Sequence, residues 1–178
     1  ATFLASLMSY FPQVEILDLG GGFGIPERRS DQSLDLEELD RKLINFQNQV
    51  LDKSMWIEPG RYLVGEAGVL IGEVTQLKTK SKKRYVGLDT GMNSLIRYPL
   101  YGAFHEIVNL TRLGERGTQD VYDVVGPICE SSDVFGHDRH LPRETKDGDL
   151  ILVGTSGAYG SSMASNYNLR GPTQEHLL

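Results

Sequence analysis

Hydrophobic and polar positions follow two different patterns along the chain. About the first third shows short apolar runs separated by a segment with helical spacing. A short apolar run at residues 14–19 ends in three glycines, which predicts a buried strand followed by a tight turn. Asp35 with Glu38 three residues later predicts the start of a helix. The apolar face of this helix comprises Leu36, Leu39, Leu43, Phe46 and Val50. A second short strand is predicted at 54–57, so the order is β-α-β.

A β-α-β order predicts parallel strands joined by a right-handed crossover, as in the last part of a TIM barrel. From about Gly72 the pattern changes to period-two alternation broken by turn residues. The alternating segments are residues 73–78, 84–89, 121–125 and 149–153. They predict an antiparallel β-barrel or sandwich. The fold class is therefore α/β plus all-β, with the end of a TIM barrel at 1–70 and a β-barrel or sandwich domain at 71–178.

The amino-terminal segment predicts the end of an apolar helix. Phe3, Leu4, Leu7 and Met8 recur at helical spacing, and Pro12 follows the helical pattern. A chain that opens inside such a helix lacks the strands that a barrel needs before it. We therefore expect that this is the C-terminal portion of a longer polypeptide.

Composition excludes several classes of partner. The formal net charge is -6, and the basic run at 78–84 is interpreted as an exposed hairpin tip, so no nucleic-acid surface is predicted. The single cysteine cannot form an internal disulfide, and neither a leader pattern nor a long apolar run is present, so no membrane partner is predicted. A reducing, cytoplasmic location fits best. The histidines show no convincing metal pattern, so no metal is predicted, and His137 and His140 are interpreted as residues of a polar loop.

Two loops contain the first candidate ligand-binding residues. Gly20, Gly21 and Gly22 follow one predicted strand, where bare backbone can approach a phosphate; the alternative is a tight turn without a ligand. The segment Glu58-Pro59-Gly60-Arg61 follows the next strand. Loops after neighbouring barrel strands lie side by side on the catalytic face. Glu58 is then either a loop carboxylate or the partner of a cofactor ring nitrogen, and Arg61 is either a solvated cation or an anchor for an anion.

Four motifs together resemble those of diaminopimelate decarboxylases. They are ILDLGGGFGIP at 16–26, IEPGRYLVGEAG at 57–68, CESSD at 129–133 and GAYGSSMASNYN at 157–168. They occur in the family's order and extend over nearly the whole chain. The resemblance implies a pyridoxal 5'-phosphate-dependent lyase of the alanine-racemase-like fold. It would convert meso-2,6-diaminopimelate to L-lysine and carbon dioxide, the last step of lysine biosynthesis.

The resemblance also implies roles for individual residues. The implied cofactor contacts are Gly20, Gly21, Gly22, Glu58, Pro59, Gly60, Arg61 and Tyr159. The implied substrate contacts are Arg61, Arg97, Tyr101, Glu130 and Tyr159. Cys129 is the implied catalytic acid, reaching across a homodimer interface into the partner's active site. Without the resemblance, Arg97 would be interpreted as a surface arginine near a turn. For Cys129 and Tyr159 the alternatives are an inert core cysteine and a core aromatic. The Gly, Pro, Ser and Asp residues around Cys129 favour an exposed loop, and the glycines beside Tyr159 favour a ligand contact.

Charge matching distinguishes the substrates of this group. Ornithine ends in one amine, whereas diaminopimelate ends in a second amino-acid head, which needs cations for its carboxylate and an anion for its ammonium. Arg97 with Arg61, and Glu130, offer these charges. The alternatives are a related decarboxylase acting on carboxynorspermidine, arginine or ornithine, or a non-catalytic binding protein. The family's cofactor-bearing lysine has no credible counterpart here, so we expect this chain to be inactive by itself.

Overall fold

The computed structural model describes residues 2–178, which form two compact units. The first contains the residues up to Pro26 and Ser30–Leu63, and the second contains Glu27–Arg29 and Val64–Leu178. In the first unit, the elements are α1 (Thr2–Leu7), β1 (Ile16–Asp18), α2 (Leu36–Gln47) and β2 (Ser54–Trp56). Strands β1 and β2 pair in parallel, as the β-α-β pattern predicts. The short helix α3 (Gly60–Val64) leads from the first unit into the second.

Helix α2 begins where the sequence predicts. The Asp35 carboxylate accepts a hydrogen bond from the Glu38 backbone N–H at 2.8 Å, which satisfies one of the N–H groups left free at a helix start. Phe46 of this helix is buried against Leu17 of β1 and Val50. The remaining contacts of this small core come from partly buried side chains: Leu4, Ala5, Met8, Val14, Leu19 and Met55.

The second unit is built around one six-stranded sheet. Its strands are β3 (Leu70–Lys80), β4 (Lys83–Leu88), β5 (Ile107–Asn109), β6 (Gln119–Val125), β7 (Val134–Pro142) and β8 (Leu150–Val153). Their order across the sheet is β5-β8-β3-β4-β6-β7. The two outer strands β5 and β7 approach each other, so the sheet forms a nearly closed barrel. A short helix α4 (Arg97–Tyr101) lies between β4 and β5 in the chain.

The barrel encloses the main hydrophobic core. Twelve buried side chains form one cluster: Leu70, Val74, Val86, Leu88, Leu95, Ile107, Tyr122, Val124, Phe135, Leu141, Ile151 and Val153. Strands β4, β6 and β8 contribute alternate residues to it, as half-buried strands do. Burial of these side chains supplies the main stabilising free energy of the unit, at about 25 cal/mol per Å² of apolar surface.

Two expectations about this unit are wrong, and two of its strands were not predicted. The sheet is mixed and not antiparallel throughout, because β4 pairs in parallel with β6. Parallel neighbours need a long connection, and residues 89–118 supply it. Strands β5 and β7 were not predicted from the sequence, because β5 is short and β7 contains a run of polar residues. His137 and His140 consequently lie in strand β7 and not in a loop.

A buried carboxylate fixes the start of β8. Asp149 Oδ2 accepts hydrogen bonds from Arg112 Nε at 2.7 Å, from Asn109 Nδ2 at 2.9 Å and from the Lys146 backbone N–H at 3.1 Å. Burial raises the pKa of Asp149, but the hydrogen bonds from Arg112, Asn109 and Lys146 outweigh it, so its pKa lies below the ordinary value. The ionised form is therefore the one that the fold stabilises.

We expect Asp149→Asn to lower the free energy of unfolding of the barrel by about 3 kcal/mol at pH 7, because it removes a buried, charged hydrogen-bond acceptor. The partly buried Arg112 guanidinium would then keep only the exposed Glu115 carboxylate as a counter-charge. Since the folded-state pKa is depressed, this stabilisation is complete above the ordinary aspartate pKa of about 3.9 and is lost as the pH falls through the folded value. Urea midpoints at pH 7 and pH 3 test this. Asp147→Asn, on the exposed turn two residues earlier, is the control. A difference that stays constant to pH 3 would contradict the assignment.

Candidate functional site

In the first unit, the glycine turn lies directly against the loop that contains Glu58. The Glu58 backbone N–H donates to the Gly20 carbonyl at 2.9 Å, and the Leu19 N–H donates to Trp56 O at 2.9 Å. A Cβ on Gly21 would come within 2.6 Å of the Glu58 carbonyl oxygen. Only glycine permits this approach, so the close contact between the two loops explains the middle glycine.

The other two glycines of the turn meet a different requirement. Gly20 and Gly22 have φ values of +71° and +86°, which residues other than glycine rarely adopt. Among residues 2–178, no atom beyond the adjoining backbone lies within 4 Å of the position that a Cβ would take on Gly20, Gly22 or Gly60. Bare backbone bordered by open space is the kind of surface that a phosphate group occupies. The turn and the Glu58 side chain, which is exposed, therefore fit a phosphorylated cofactor.

In the second unit, two glycine-rich segments pack backbone against backbone. Ser156 N–H donates to Gly68 O at 2.8 Å, and Gly157 N–H donates to Gly65 O at 3.1 Å. A Cβ on Gly157 would lie 2.0 Å from the Val64 carbonyl oxygen, and one on Gly68 would lie 2.7 Å from the Gly157 Cα. This packing fixes the bend that carries Tyr159.

Tyr159 is presented by a strained turn. Its φ is +66°, in the left-handed region that favours glycine, and its side chain is 44% exposed. A residue held in this way is kept there by its surroundings, and such conformations concentrate at functional sites. Tyr159 is consequently not a core aromatic, the alternative that the sequence left open.

Arg97 lies at the centre of a cluster in the second unit and is not a surface residue. It is 4% exposed. Its guanidinium carbon is 5.6 Å from the ring centroid of Tyr101 and 5.8 Å from that of Tyr159. Arg97 Nε donates to the Tyr101 hydroxyl at 3.3 Å, and Nη2 lies 3.5 Å from a Glu27 carboxylate oxygen. The structure thus brings together three of the side chains that the sequence analysis proposed as ligand contacts.

The loop containing Cys129 is held by a buried carboxylate that the sequence analysis did not single out. Asp133 Oδ2 accepts the Ile128 backbone N–H at 2.6 Å, and Oδ1 accepts the Met92 N–H at 2.7 Å. A Cβ on Gly126 would lie 2.4 Å from the same carboxylate. Cys129 itself is exposed on this loop, immediately after the anchored Ile128. An exposed thiol on a fixed loop is suited to meet a ligand.

Glu130 follows on the same loop and is kept ionised. Its Oε1 accepts hydrogen bonds from the Ser131 N–H at 2.8 Å and the Ser131 hydroxyl at 3.1 Å, and its Oε2 lies 3.4 Å from the Tyr167 hydroxyl. The Ser131 hydroxyl, the Ser131 N–H and the Tyr167 hydroxyl together lower the pKa of Glu130. An exposed, ionised carboxylate is suited to an ammonium group.

His105 is the second residue that the sequence analysis left without a role. It is completely buried. Its Nε2 lies 3.3 Å from Arg97 Nη1, and its Nδ1 lies 2.8 Å from the Gly154 carbonyl oxygen. Burial lowers the pKa of His105. The hydrogen bond with Gly154 raises it and the nearby Arg97 charge lowers it further, so the pKa lies below its ordinary value. No local sequence pattern marks His105, because only the folded chain brings its side chain into contact with that of Arg97.

Two further residues of the predicted cofactor site, Pro59 and Arg61, lie next to Glu58 in the chain. Pro59 and Arg61 are partly buried, and Arg61 has interaction partners. Within residues 2–178, no three His, Cys, Asp or Glu side chains are grouped so that they could hold a metal ion. None of the helices in that range has both the length and the apolar character of a membrane span.

Comparison with known proteins identifies relatives of this chain. A family model described as pyridoxal-dependent decarboxylase, C-terminal sheet domain, matches residues 8–157. The diaminopimelate decarboxylase of Methanocaldococcus jannaschii is 39% identical over 173 residues, which cover 95% of this chain and 39% of that protein.

Two solved structures are similar over almost the whole chain. Diaminopimelate decarboxylase from Helicobacter pylori complexed with L-lysine superposes with a TM-score of 0.80 at 40% identity, covering 95% of this chain and 41% of that one. SrLDC in complex with PLP and cadaverine superposes with a TM-score of 0.78 at 27% identity, covering 96% and 45%. The chain thus spans less than half the length of these relatives.

Proposed function

The chain belongs to the pyridoxal-dependent decarboxylases, and we propose that it is the C-terminal part of a diaminopimelate decarboxylase. The proposed reaction of the whole protein is the conversion of meso-2,6-diaminopimelate to L-lysine and carbon dioxide. The observation that supports this most directly is the cluster of Arg97, Tyr101 and Tyr159 on one side of the sheet domain. The relatives that bear this name cover nearly the whole chain.

The first unit is proposed to be the end of the barrel that holds the cofactor. Its support is the parallel pairing of β1 with β2 around α2. Ile16 and Trp56 on these two strands are 44% and 57% exposed, as expected of side chains that further barrel strands would cover.

The proposed cofactor is pyridoxal 5'-phosphate. When bound, this group accepts the electron pair that a departing carboxylate leaves behind. The backbone of Gly20, Gly21, Gly22 and Gly60, with Arg61, is proposed to hold its phosphate. Glu58 is proposed to keep its ring nitrogen protonated, and Tyr159 to contact it. The fit of the glycine turn described above supports these roles.

The side chains of the sheet domain suit the far end of diaminopimelate. That end is a second amino-acid head with a carboxylate and an ammonium group. Arg97, with Tyr101 beside it and Arg61, is proposed to bind the carboxylate, and the ionised Glu130 to bind the ammonium. Ornithine lacks the far carboxylate, so it could not form this charge-assisted contact with Arg97.

Cys129 is proposed to donate the proton that replaces the lost carboxylate on the same carbon atom. Its exposed position on a loop anchored by Asp133 supports this role. We propose that it acts across a homodimer interface, so that each active site uses residues of both subunits. A cytoplasmic location fits a biosynthetic enzyme with a free thiol.

The proposal is tested by assaying the full-length protein against a small panel of amino acids. The panel contains diaminopimelate, ornithine, arginine and carboxynorspermidine, and released carbon dioxide is measured. We expect turnover of diaminopimelate to exceed that of the others by orders of magnitude. Preference for another member would identify a related decarboxylase. No turnover of any member would favour a non-catalytic binding protein.

The 178-residue chain by itself is expected to be inactive. The reason is that no lysine of this chain is a credible site for covalent attachment of the cofactor. Lys53, for example, lies before β2 and donates to the Pro12 carbonyl at 3.2 Å. Incubation with pyridoxal 5'-phosphate, borohydride reduction and peptide mass spectrometry should reveal no site-specific lysine adduct. A single modified lysine at high occupancy would contradict the expectation, with the full-length protein as positive control.

A further inference from the structure

The buried imidazole of His105 joins the candidate substrate arginine to the end of strand β8. Its two ring nitrogens face different groups: Nε2 is 3.3 Å from Arg97 Nη1, and Nδ1 is 2.8 Å from the Gly154 carbonyl oxygen. The Thr155 hydroxyl lies 3.4 Å from the same Nδ1. His105 is 0% exposed, so water does not supply alternative partners.

These partners allow a single protonation state. A carbonyl oxygen can only accept, so the proton must be on Nδ1. A guanidinium can only donate, so Nε2 must present its lone pair to Arg97. His105 is therefore a neutral acceptor with a defined tautomer. Burial and two of the charged groups that face the ring, Arg97 on α4 and Arg139 on β7, oppose a second proton on it, whereas Glu27 favours one.

A neutral acceptor orients a guanidinium without cancelling its charge. A carboxylate in the place of His105 would form an internal ion pair and compete with any anionic ligand. The Tyr101 hydroxyl, also neutral, occupies Nε of the same guanidinium. The Nη2 edge lies 3.5 Å from a Glu27 carboxylate oxygen, so a carboxylate fits on that edge. A ligand carboxylate bound there would take the place of Glu27.

We propose that His105 is a positioning residue that fixes Arg97 to receive the far carboxylate of the substrate and the product. This inference rests on the function proposed above. His105 touches neither ligand nor cofactor; its effect passes through Arg97. It therefore predicts a loss of affinity for carboxylate-bearing ligands without a matching loss in the chemical step.

Two carboxamide variants of the full-length enzyme separate positioning from mere structural support. His105→Gln places a carbonyl near the position of Nε2 and retains an acceptor for Arg97. His105→Asn is shorter and retains only the donor to Gly154. We expect KM for diaminopimelate to rise about tenfold in His105→Asn and to stay within about threefold of wild type in His105→Gln. We expect kcat to change by less than about threefold in both.

Ligand binding supplies a readout that does not depend on turnover. L-lysine and cadaverine differ by one carboxylate, so their dissociation constants are measured by calorimetry. His105→Asn should weaken L-lysine about tenfold and leave cadaverine unchanged, because only L-lysine carries the group that Arg97 binds. Equal effects of the two variants on L-lysine, or an equal loss for both ligands, would overturn the positioning role.

A measurement on the unmodified protein covers the case in which both variants fail to fold. Nitrogen NMR of histidine-labelled full-length enzyme reports the tautomer of each imidazole. We expect one histidine in the neutral Nδ1–H form throughout pH 6 to 8; a protonated ring or the other tautomer would refute the inference. If wild-type protein neither turns over diaminopimelate nor binds L-lysine, the proposed function itself fails. Normal wild-type behaviour with indistinguishable variants removes only the role of His105.

Discussion

Replacing Cys129 by alanine in the full-length protein is expected to slow decarboxylation of diaminopimelate by about 10² to 10⁴-fold, the usual contribution of a general acid. The proton must reach one carbon atom after the carboxylate has left. Cys129 is exposed on a loop whose backbone is pinned by Asp133, so its thiol is held in place at little entropic cost. Cofactor absorbance and L-lysine affinity should stay close to wild type, since the thiol is not assigned to either.

Two further variants make this test more specific. Cys129→Ser preserves the size of the side chain but replaces a thiol by a much weaker acid, so it should be nearly as slow as Cys129→Ala. Ser132→Ala alters the same loop three residues later and should retain nearly full activity. Turnover by Cys129→Ala that equals wild type would remove the acid role.

The second large effect is expected from Gly157→Ala. An added Cβ would lie 2.0 Å from the Val64 carbonyl oxygen and 2.7 Å from the Gly68 nitrogen, and both are backbone atoms that cannot rotate away. Relieving the clash must separate the two glycine-rich segments, and the resulting strain should lower the free energy of unfolding by about 3 kcal/mol. Because Tyr159 is carried by the same bend, affinity for the cofactor should fall as well.

Urea unfolding of the full-length protein measures the first effect, and cofactor titration measures the second. Gly171→Ala is a matched control, because a Cβ there would meet no atom within 4 Å. That variant should remain within about 0.5 kcal/mol of wild type, like most surface substitutions. If Gly157→Ala unfolds at the wild-type urea concentration, the backbone contact is not as close as the structure indicates.

The sequence was most informative where a local pattern was sufficient. Asp35 and Glu38 correctly predicted the start of α2, because a helix cap depends on residues three positions apart. Four of the six barrel strands were expected from alternation. Strand β7 was missed because Gly136, His137 and Asp138 give no simple alternation: Gly136 is buried, and the next two residues are both exposed. The parallel pairing of β4 with β6 was also missed, since pairing partners depend on the path of the intervening chain.

The residues of the candidate site also fall into those that the sequence could predict and those that it could not. Residues with an unusual local composition, such as Gly20 to Gly22 and the segment around Tyr159, were selected from sequence because glycine clusters mark close backbone approach. His105 and Asp133 were not selected. Their importance comes from contacts with Arg97 and Ile128 that form only on folding, and a lone histidine or aspartate carries no local signal of them.

The sequence by itself determined the β-α-β order, the predominance of strands in the second part, the family and the charges available to a ligand. These follow from residue types and short spacings. Only the tertiary structure decided that Arg97 is buried, that His105 contacts it and why Gly21 and Gly157 must be glycine. The physical reason is that hydrogen-bond direction and steric exclusion act between atoms far apart in the chain. Their strength depends on distances of a few ångströms that only folding sets.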